Sequence, residues 1–295
     1  MADIYVTGSN SEMLSGEISG MLCGRYIEIR IHPLSYPEYI SFFDLSDSNE
    51  TFQKYITYGG MPGLINIAKN EQAFFDYLKG IYSTVLLKDV VARYNIRNVF
   101  FLENLARFLS RNIGSLVSAK TISDYLKSQQ IKISPNITLD YLYYLCSAFL
   151  INKVKRIDII GKKIFEVNDK FYFEDIGLRN VIASYQPGDI AVILENVVYN
   201  HLRIAGYEVN VGYKGGKEID FVAKRNGETI YIQVCYLLSD NNVINREFGN
   251  LLEIPDNYRK YVISMDGLNA PNTYKGIEHL NIREFCLKSL KNMIL

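Results

Sequence analysis

"EIDFVAKRNGETIYIQVCY", residues Glu218 to Tyr236, decides how the C-terminal part of this chain is read. Asn226-Gly227 suits a two-residue hairpin turn, because both central positions of such a turn need positive φ. A turn there fixes the pairing: partners must have numbers that sum to the same value as Arg225 and Glu228. Asp220 then faces Gln233, and Glu218 faces Cys235. Directly opposed residues of an antiparallel pair share a face. The other row holds Ile219, Phe221, Ile232 and Val234, all apolar, as a core-facing row requires. The expected ribbon has one wet side carrying a carboxylate and an amide.

Working outward, a helix is expected over 190–205, ended by Gly206 at the position helices favour for glycine. Strands are expected at 207–213, 218–224 and 229–237, then a helix over 246–252 and a strand in "KYVISMD". Upstream, three helical patterns run over 101–112, 119–129 after the cap Ser118, and 136–148 after Ser134-Pro135. Two β-rich segments, "INKVKRID" and "KKIFEVNDKFYFED", are joined by a turn at Gly161, and three helices followed by a hairpin is the order of a winged helix-turn-helix. Residues 36–96 read as helical, broken at "GGMPG" (Gly59 to Gly63) by glycine and proline. The opening reads as strand 4–7, helix 12–22 and strand 26–31, stopped at Pro33.

The fold expected is mixed α/β and multidomain. Its parts are residues 1–35, a remnant of an α/β core; 36–98, a helical subdomain; 99–183, a winged helix-turn-helix; and 184–295, an α/β domain. "SYQPGD", Ser184 to Asp189, is the linker into the last part.

Composition narrows the function classes. Among 295 residues, 48% are hydrophobic and 22% charged, the profile of a water-soluble globular chain. No apolar run reaches the roughly 20 residues of a spanning helix, and "MADIYVTGSN" has no secretory n-region or h-region. A cytoplasmic location without membrane partners is therefore expected. Lys plus Arg equals Asp plus Glu at 32 each, so nucleic-acid binding requires a local patch. Lys153, Lys155, Arg156, Lys162 and Lys163 form the candidate patch. The segment 136–148 is mostly apolar, carries Asp140 and reads equally well as a packed helix. Cys23, Cys146, Cys235 and Cys286 lie too far apart for a zinc cluster or disulfide framework.

The polar row of the hairpin resembles the core of the PD-(D/E)XK nuclease fold, in which an Asp on one strand is followed on the next by Glu or Gln, one residue, and Lys. The resemblance implies Asp220 and Gln233 as catalytic ligands, with Glu195 of "LENVVYNHL" as a further carboxylate. Asp220 and Glu195 would hold Mg²⁺ against a scissile phosphate, where the metal lowers the pKa of its bound water. Cys235 stands where that pattern has Lys, and a thiol supplies no hard cation there. Lys217 alternates to the other face and Lys214 lies in a loop, so no replacement lysine is evident. Two readings stay open: a divalent-metal DNA nuclease at Glu195, Asp220 and Gln233, or a degenerate nuclease-like domain kept for binding or assembly.

The ends of the chain carry a second resemblance. Thr7-Gly8-Ser9-Asn10, Gly24-Arg25, Pro33-Leu34-Ser35-Tyr36-Pro37-Glu38-Tyr39, "YGGMPG", "LLKDVVARYNIRN" and "REFGNLLEIPDNYRKYVIS" together resemble a bacterial and archaeal family of AAA+ ATPases, from its sensor 1 motif onward. Members have an ATPase core followed by a winged helix and a domain of unknown function with a PD-(D/E)XK-like core, and their hairpins carry Gln-Val-x-Tyr, as Gln233 to Tyr236 does here. The resemblance implies that Asn10 orients the attacking water, and that Arg25 is either an arginine finger or a structural ion-pair partner. ATP and Mg²⁺ are cofactors of the intact family. No GxxxxGK(S/T) stretch occurs in this sequence and no Walker B strand precedes Thr7, so no nucleotide cofactor is expected here. The reading is a stretch beginning inside the ATPase core that binds DNA or a protein client without catalysis of its own. The alternatives are the nuclease above and a non-catalytic scaffold between like subunits.

Overall fold

The computed structural model describes residues 4–11, 26–67, 70–161, 163–165, 168–267 and 272–288. They form a mixed α/β structure with ten α-helices and two β-sheets. The helices start where short polar side chains cap their free amides. In α1 (Tyr36–Phe42), Glu38 Oε2 reaches back to Ser35 N and Oγ at 2.9 and 2.6 Å. Ser48 Oγ takes the Thr51 amide at the start of α2 (Asn49–Tyr58).

The break after α2 has a steric cause. Gly59 has φ +79°, and a Cβ on it would lie 2.4 Å from Asp175 Oδ1. A short 3₁₀ turn at Pro62–Asn66 follows, then α3 (Glu71–Thr84), which runs into a π-helical stretch, Val85–Ala92. Next come α4 (Val99–Arg111), α5 (Ala119–Ser128) and α6 (Pro135–Ser147). Ser118 and Ser134 cap α5 and α6 as expected, accepting the Thr121 and Ile137 amides at 3.1 and 3.3 Å.

The strands after α6 depart from the expected hairpin. β1 (Ile151–Val154) pairs antiparallel with β3 (Lys170–Phe173) in a two-stranded sheet. β2 (Arg156–Asp158) leaves that sheet and pairs in parallel with β4 (Glu208–Lys214). The tip around Gly161 does fold back, with Phe165 N bonded to Arg156 O at 2.8 Å. Its leading strand nevertheless becomes the edge of the other sheet, because β2 satisfies its free backbone groups along β4.

After α7 (Ile176–Ala183) and α8 (Ile190–Ile204), the larger sheet is completed by β5 (Lys217–Arg225), β6 (Glu228–Val234), α9 (Asn241–Leu252), β7 (Arg259–Ser264), β8 (Thr273–Tyr274) and β9 (Ile277–Asn281); α10 (Ile282–Lys288) follows. Its seven strands run β2-β4-β5-β6-β7-β9-β8. On one side Phe221, Ile232 and Ile263 pack with Val197 and Leu202 of α8 and Phe285 of α10; on the other, Val222, Tyr231 and Val262 pack with Phe248 and Leu251 of α9. The first cluster continues without interruption into Phe101, Leu145 and Tyr172 and out to Tyr36 and Phe52. This first cluster therefore unites the helical parts with the α8 side of the sheet, while the α9 side has a cluster of its own.

Two expectations for regular structure are corrected. Residues 4–7 and 26–31 form no strands, and Ile4, Ile27 and Ile31 stand 86%, 88% and 83% exposed. An isolated extended segment has no partner for its amides, so an apolar pattern alone does not make a strand. The expected helix over 12–22 lies outside the described residues. Further along, α9 begins at Asn241, earlier than expected, because Asp240 Oδ1 accepts the Asn242 and Val243 amides. No helix among the described residues is long and apolar enough to cross a membrane.

Candidate carboxylate site

The hairpin turns as the sequence requires. Asn226 and Gly227 have φ +50° and +85°, and Phe221 pairs with Ile232 through to Arg225 with Glu228. One feature of β5 is not visible in that register. Between Asn210/Val222 and Gly212/Ile219 the pairing of β4 with β5 shifts, so β5 takes three steps where β4 takes two. Such a bulge reverses the facing of residues beyond it. Ile219 consequently packs with Val222 on the α9 side and not with Phe221, which corrects the single apolar row expected for Ile219 and Phe221.

The bulge leaves Asp220 facing α8. Asp220 Oδ2 accepts the Val234 amide at 2.8 Å, and its Oδ1 lies 3.7 Å from Lys170 Nζ. Glu195, on α8, accepts from Lys170 Nζ at 2.8 Å and from the Tyr172 hydroxyl at 2.6 Å, both at Oε1. Glu218 Oε1 is 2.7 Å from the same ammonium. Lys170 and Tyr172 are alternate residues of β3 and so share a face. Tyr172 stacks on Tyr199 of α8 at 4.6 Å between centroids. The loop between α4 and α5 closes the cluster from above: a Cβ on Gly114, whose φ is +68°, would approach the Glu195 carboxylate oxygens to 2.6–2.8 Å.

The electrostatics follow from burial. Lys170 is 1% exposed, and desolvation alone would push its pKa down; Glu195, Asp220 and Glu218 outweigh this and hold it above the ordinary lysine value. Burial and the neighbouring Glu195 push the Asp220 carboxyl up, against the pull of Lys170 and the Val234 amide. Burial and Glu195 likewise raise the Tyr172 hydroxyl. Burial raises the Cys235 thiol to about 12, so it supplies neither a cation nor a thiolate near neutral pH.

Glu195 and Asp220 are thus brought together, joined by Glu218. Gln233 is not brought to them: it pairs laterally with Val262, in the strand row of Tyr231 and Cys235 that packs toward α9, which corrects the expected wet side shared by Asp220 and Gln233, and its Oε1 is buried without a hydrogen-bond partner among the described residues. Magnesium needs oxygen ligands near 2.0–2.1 Å in octahedral geometry. Here an ammonium occupies the point on which the carboxylates converge, and among the described residues no three His, Cys, Asp or Glu side chains are arranged to hold a metal. The residues present do not fit Mg²⁺. Lys170 escaped the sequence reading because it lies 50 residues from Asp220, on a strand assigned to another part of the chain; the alternation Lys170-Phe171-Tyr172-Phe173 was the available signal.

The other candidate residues are dispersed. Asn10 is buried and its Nδ2 lies 3.4 Å from Asp89 O, while the Ser11 amide bonds to Ser147 O. Arg25 and Lys162 lie outside the described residues. Lys153 is paired with Asp169 at 2.8 Å, and the Arg156 guanidinium sits over the rings of Phe165 and Tyr213 at 4.3 and 5.0 Å. Lys155 and Lys163 are exposed. On α6, Ile137, Leu139, Asp140 and Tyr143 face solvent, and the helix contains no Lys or Arg.

Residues 1–40 match an AAA domain, and residues 49–188 match a domain of unknown function (DUF8612). The chain is 36% identical over 266 residues to an uncharacterised protein of Haemophilus influenzae, covering 89% of this chain and 65% of that protein. It is 31% identical over 255 residues to an uncharacterised protein of Methanocaldococcus jannaschii, covering 81% of this chain and 56% of that one. The chain therefore spans less than two thirds of the length of either relative. No solved structure matches it.

Proposed function

We propose that this chain is the C-terminal region of an AAA+ type ATPase and serves as a docking module that neither hydrolyses ATP nor cuts DNA. In this reading, residues 1–35 are a remnant of the ATPase core and 36–98 a helical subdomain. Residues 99–183 are a winged helix whose wing also contributes β2 to the neighbouring sheet, and 184–295 are a degenerate PD-(D/E)XK-like domain. The observation that carries the non-catalytic reading is the Lys170 ammonium held among Glu195, Glu218 and Asp220 beneath Gly114. A phosphodiester and a metal ion would both have to enter where a buried cation and a loop already stand. The test is incubation of plasmid DNA with the protein and Mg²⁺ or Mn²⁺: intact plasmid is expected. Cleavage that disappears in Asp220→Ala would establish the nuclease alternative instead.

A protein client is favoured over DNA. The outward side of α6, where a winged helix reads the major groove, offers Ile137, Leu139 and Tyr143 with Asp140 and no basic side chain. Of the basic candidates described, Lys153 and Arg156 are already engaged, leaving Lys155 and Lys163 for phosphates. Two exposed lysines support weak, salt-sensitive contact at most. Fluorescence anisotropy with duplex DNA should show little binding at physiological salt. Tight binding that is lost in Lys155→Glu/Lys163→Glu would restore the DNA reading, and self-association of the protein in sedimentation would favour the scaffold.

A further inference from the structure

We infer that the π-helical stretch Val85–Ala92, the turn after it and the outward side of α6 form one docking surface, and that its occupant is an acidic amphipathic segment of the protein client. Lys88, Arg93 and Arg97 stand exposed on the stretch and the turn, against Asp89 as the single acid between Val85 and Phe101, and among the described residues none of the three is ion-paired. The π-helix gathers two of them. Its i to i+5 bonding stacks residues five apart, as Lys88 and Arg93 are, whereas an α-helix turns such residues to different sides. Stretches of this kind are rare and frequent at functional sites. Beside these cations Leu87 and Phe100 are 51% and 65% exposed, so positive charge and apolar surface are interleaved.

The turn is fixed on α6. Tyr94 stacks on Tyr144 at 3.9 Å between centroids, Phe101 meets Tyr141 edge-on at 4.9 Å, and the Asn98 backbone bonds to the Tyr141 hydroxyl. Ile137 and Asp140 lie one helical turn before Tyr141 and Tyr144 and so on the same side, with Leu139 next to them. The exposed apolar residues of α6 therefore run up to the cations of the turn. Contiguous exposed apolar surface marks a contact with another protein, and arginines that their own chain leaves without carboxylates select a partner that brings them. Asp140, within the apolar stretch, selects a basic side chain at that one point. Single-stranded nucleic acid fits less well, because Tyr94 and Tyr144 cover each other's faces and are lost as platforms for stacked bases.

This inference rests on the proposal that the client is a protein, and the two fail in different experiments. Tight duplex binding that is lost in Lys155→Glu/Lys163→Glu removes that proposal; indifference to an acidic peptide removes this one. The experiment is fluorescence anisotropy with three labelled probes: a synthetic amphipathic helix with leucines along one side and glutamates beside them, its counterpart with lysines in place of the glutamates, and oligo(dT). Native protein should bind the glutamate peptide, bind it more weakly as salt rises, and ignore the lysine peptide. Arg93→Glu/Arg97→Glu should weaken binding roughly tenfold, and Ile137→Ser/Leu139→Ser by a similar factor. These side chains are exposed, so melting temperatures should stay near native. Where Arg93→Glu/Arg97→Glu melts lower, Arg93→Gln/Arg97→Gln is measured in its place and should still lose affinity. Lys155→Glu/Lys163→Glu should bind the glutamate peptide as native protein does. Failure of native protein to bind the glutamate peptide, equal binding of both peptides, or unchanged affinity in the arginine variants overturns the inference, as does oligo(dT) that binds more tightly and displaces the peptide.

Discussion

Asp175 Oδ2 accepts the Gly60 amide at 2.8 Å, while its Oδ1 takes the Leu178 amide at 2.9 Å. One buried carboxylate therefore caps α7 and fastens the glycine turn after α2 against it. Gly177 completes the contact, since a Cβ there would lie 2.0 Å from Tyr58 O. Asp175→Ala leaves two amides without acceptors and should cost about 1–3 kcal/mol. Gly59→Ala places a methyl group on this carboxylate at φ +79° and should cost about 2–4 kcal/mol through strain and overpacking. Urea denaturation measures both, and a near-native midpoint for Gly59→Ala would contradict the close approach.

Lys170 joins β3 to α8 and β5, so its loss should be felt across the whole core. Lys170→Ala strands buried carboxylates and is expected to destabilise by about 3–5 kcal/mol. Because Lys170 and Glu195 share a hydrogen bond at 2.8 Å, the double variant Lys170→Ala/Glu195→Ala should be clearly more stable than the sum of the two single losses predicts. Simple additivity in that thermodynamic cycle would mean that the pair does not interact.

His201 gives stability a defined pH dependence. Its Nε2 accepts the Tyr36 amide at 3.0 Å and its Nδ1 bonds to Val197 O at 2.8 Å, which makes it the neutral tautomer protonated on Nδ1. Burial lowers its pKa from 6.5 to about 4. Between those values the unfolded chain binds a proton that the native state refuses, so this group's contribution is full above pH 6.5 and is lost as pH falls toward 4. Asp175 runs the other way: burial raises it from 3.8 to about 6, so its contribution is present at low pH and lost as pH rises through 6. Melting temperatures of native protein and His201→Gln between pH 7 and pH 5 separate the two effects. The native protein should lose stability more steeply than the variant over that interval; parallel curves would remove His201 as the cause.

The described cysteines should be unreactive in the native state. Burial raises Cys146 and Cys235 to about 12 and Cys286 well above its ordinary value, which leaves almost no thiolate at pH 8. Alkylation mapped by peptide mass should label these three slowly in native protein and fully in denaturant. Rapid native labelling of Cys235 would show that the α9 side of the sheet opens readily.

Local chemistry made much of the chain legible. Ser118 and Ser134-Pro135 announce helices because a hydroxyl that accepts free amides acts within a few residues. Asn226-Gly227 announces the hairpin and its register because positive φ is a property of those residues themselves. The glycines at 59 and 60 mark the end of α2, although the Asp175 carboxylate that both meet lies more than a hundred residues away.

What the residues alone determined, then, is where the serine-capped helices start and where the hairpin turns, together with the mixed α/β character and two of the carboxylates that meet. Only the tertiary structure decided that β2 crosses to β4, that a bulge turns Ile219 away from Phe221, and that Lys170 fills the position between Glu195, Glu218 and Asp220. The division has a physical origin. Caps and turns are satisfied by neighbours in the chain, whereas edge pairing, face reversal and the neutralisation of buried charge depend on which distant segment arrives to supply the missing partner.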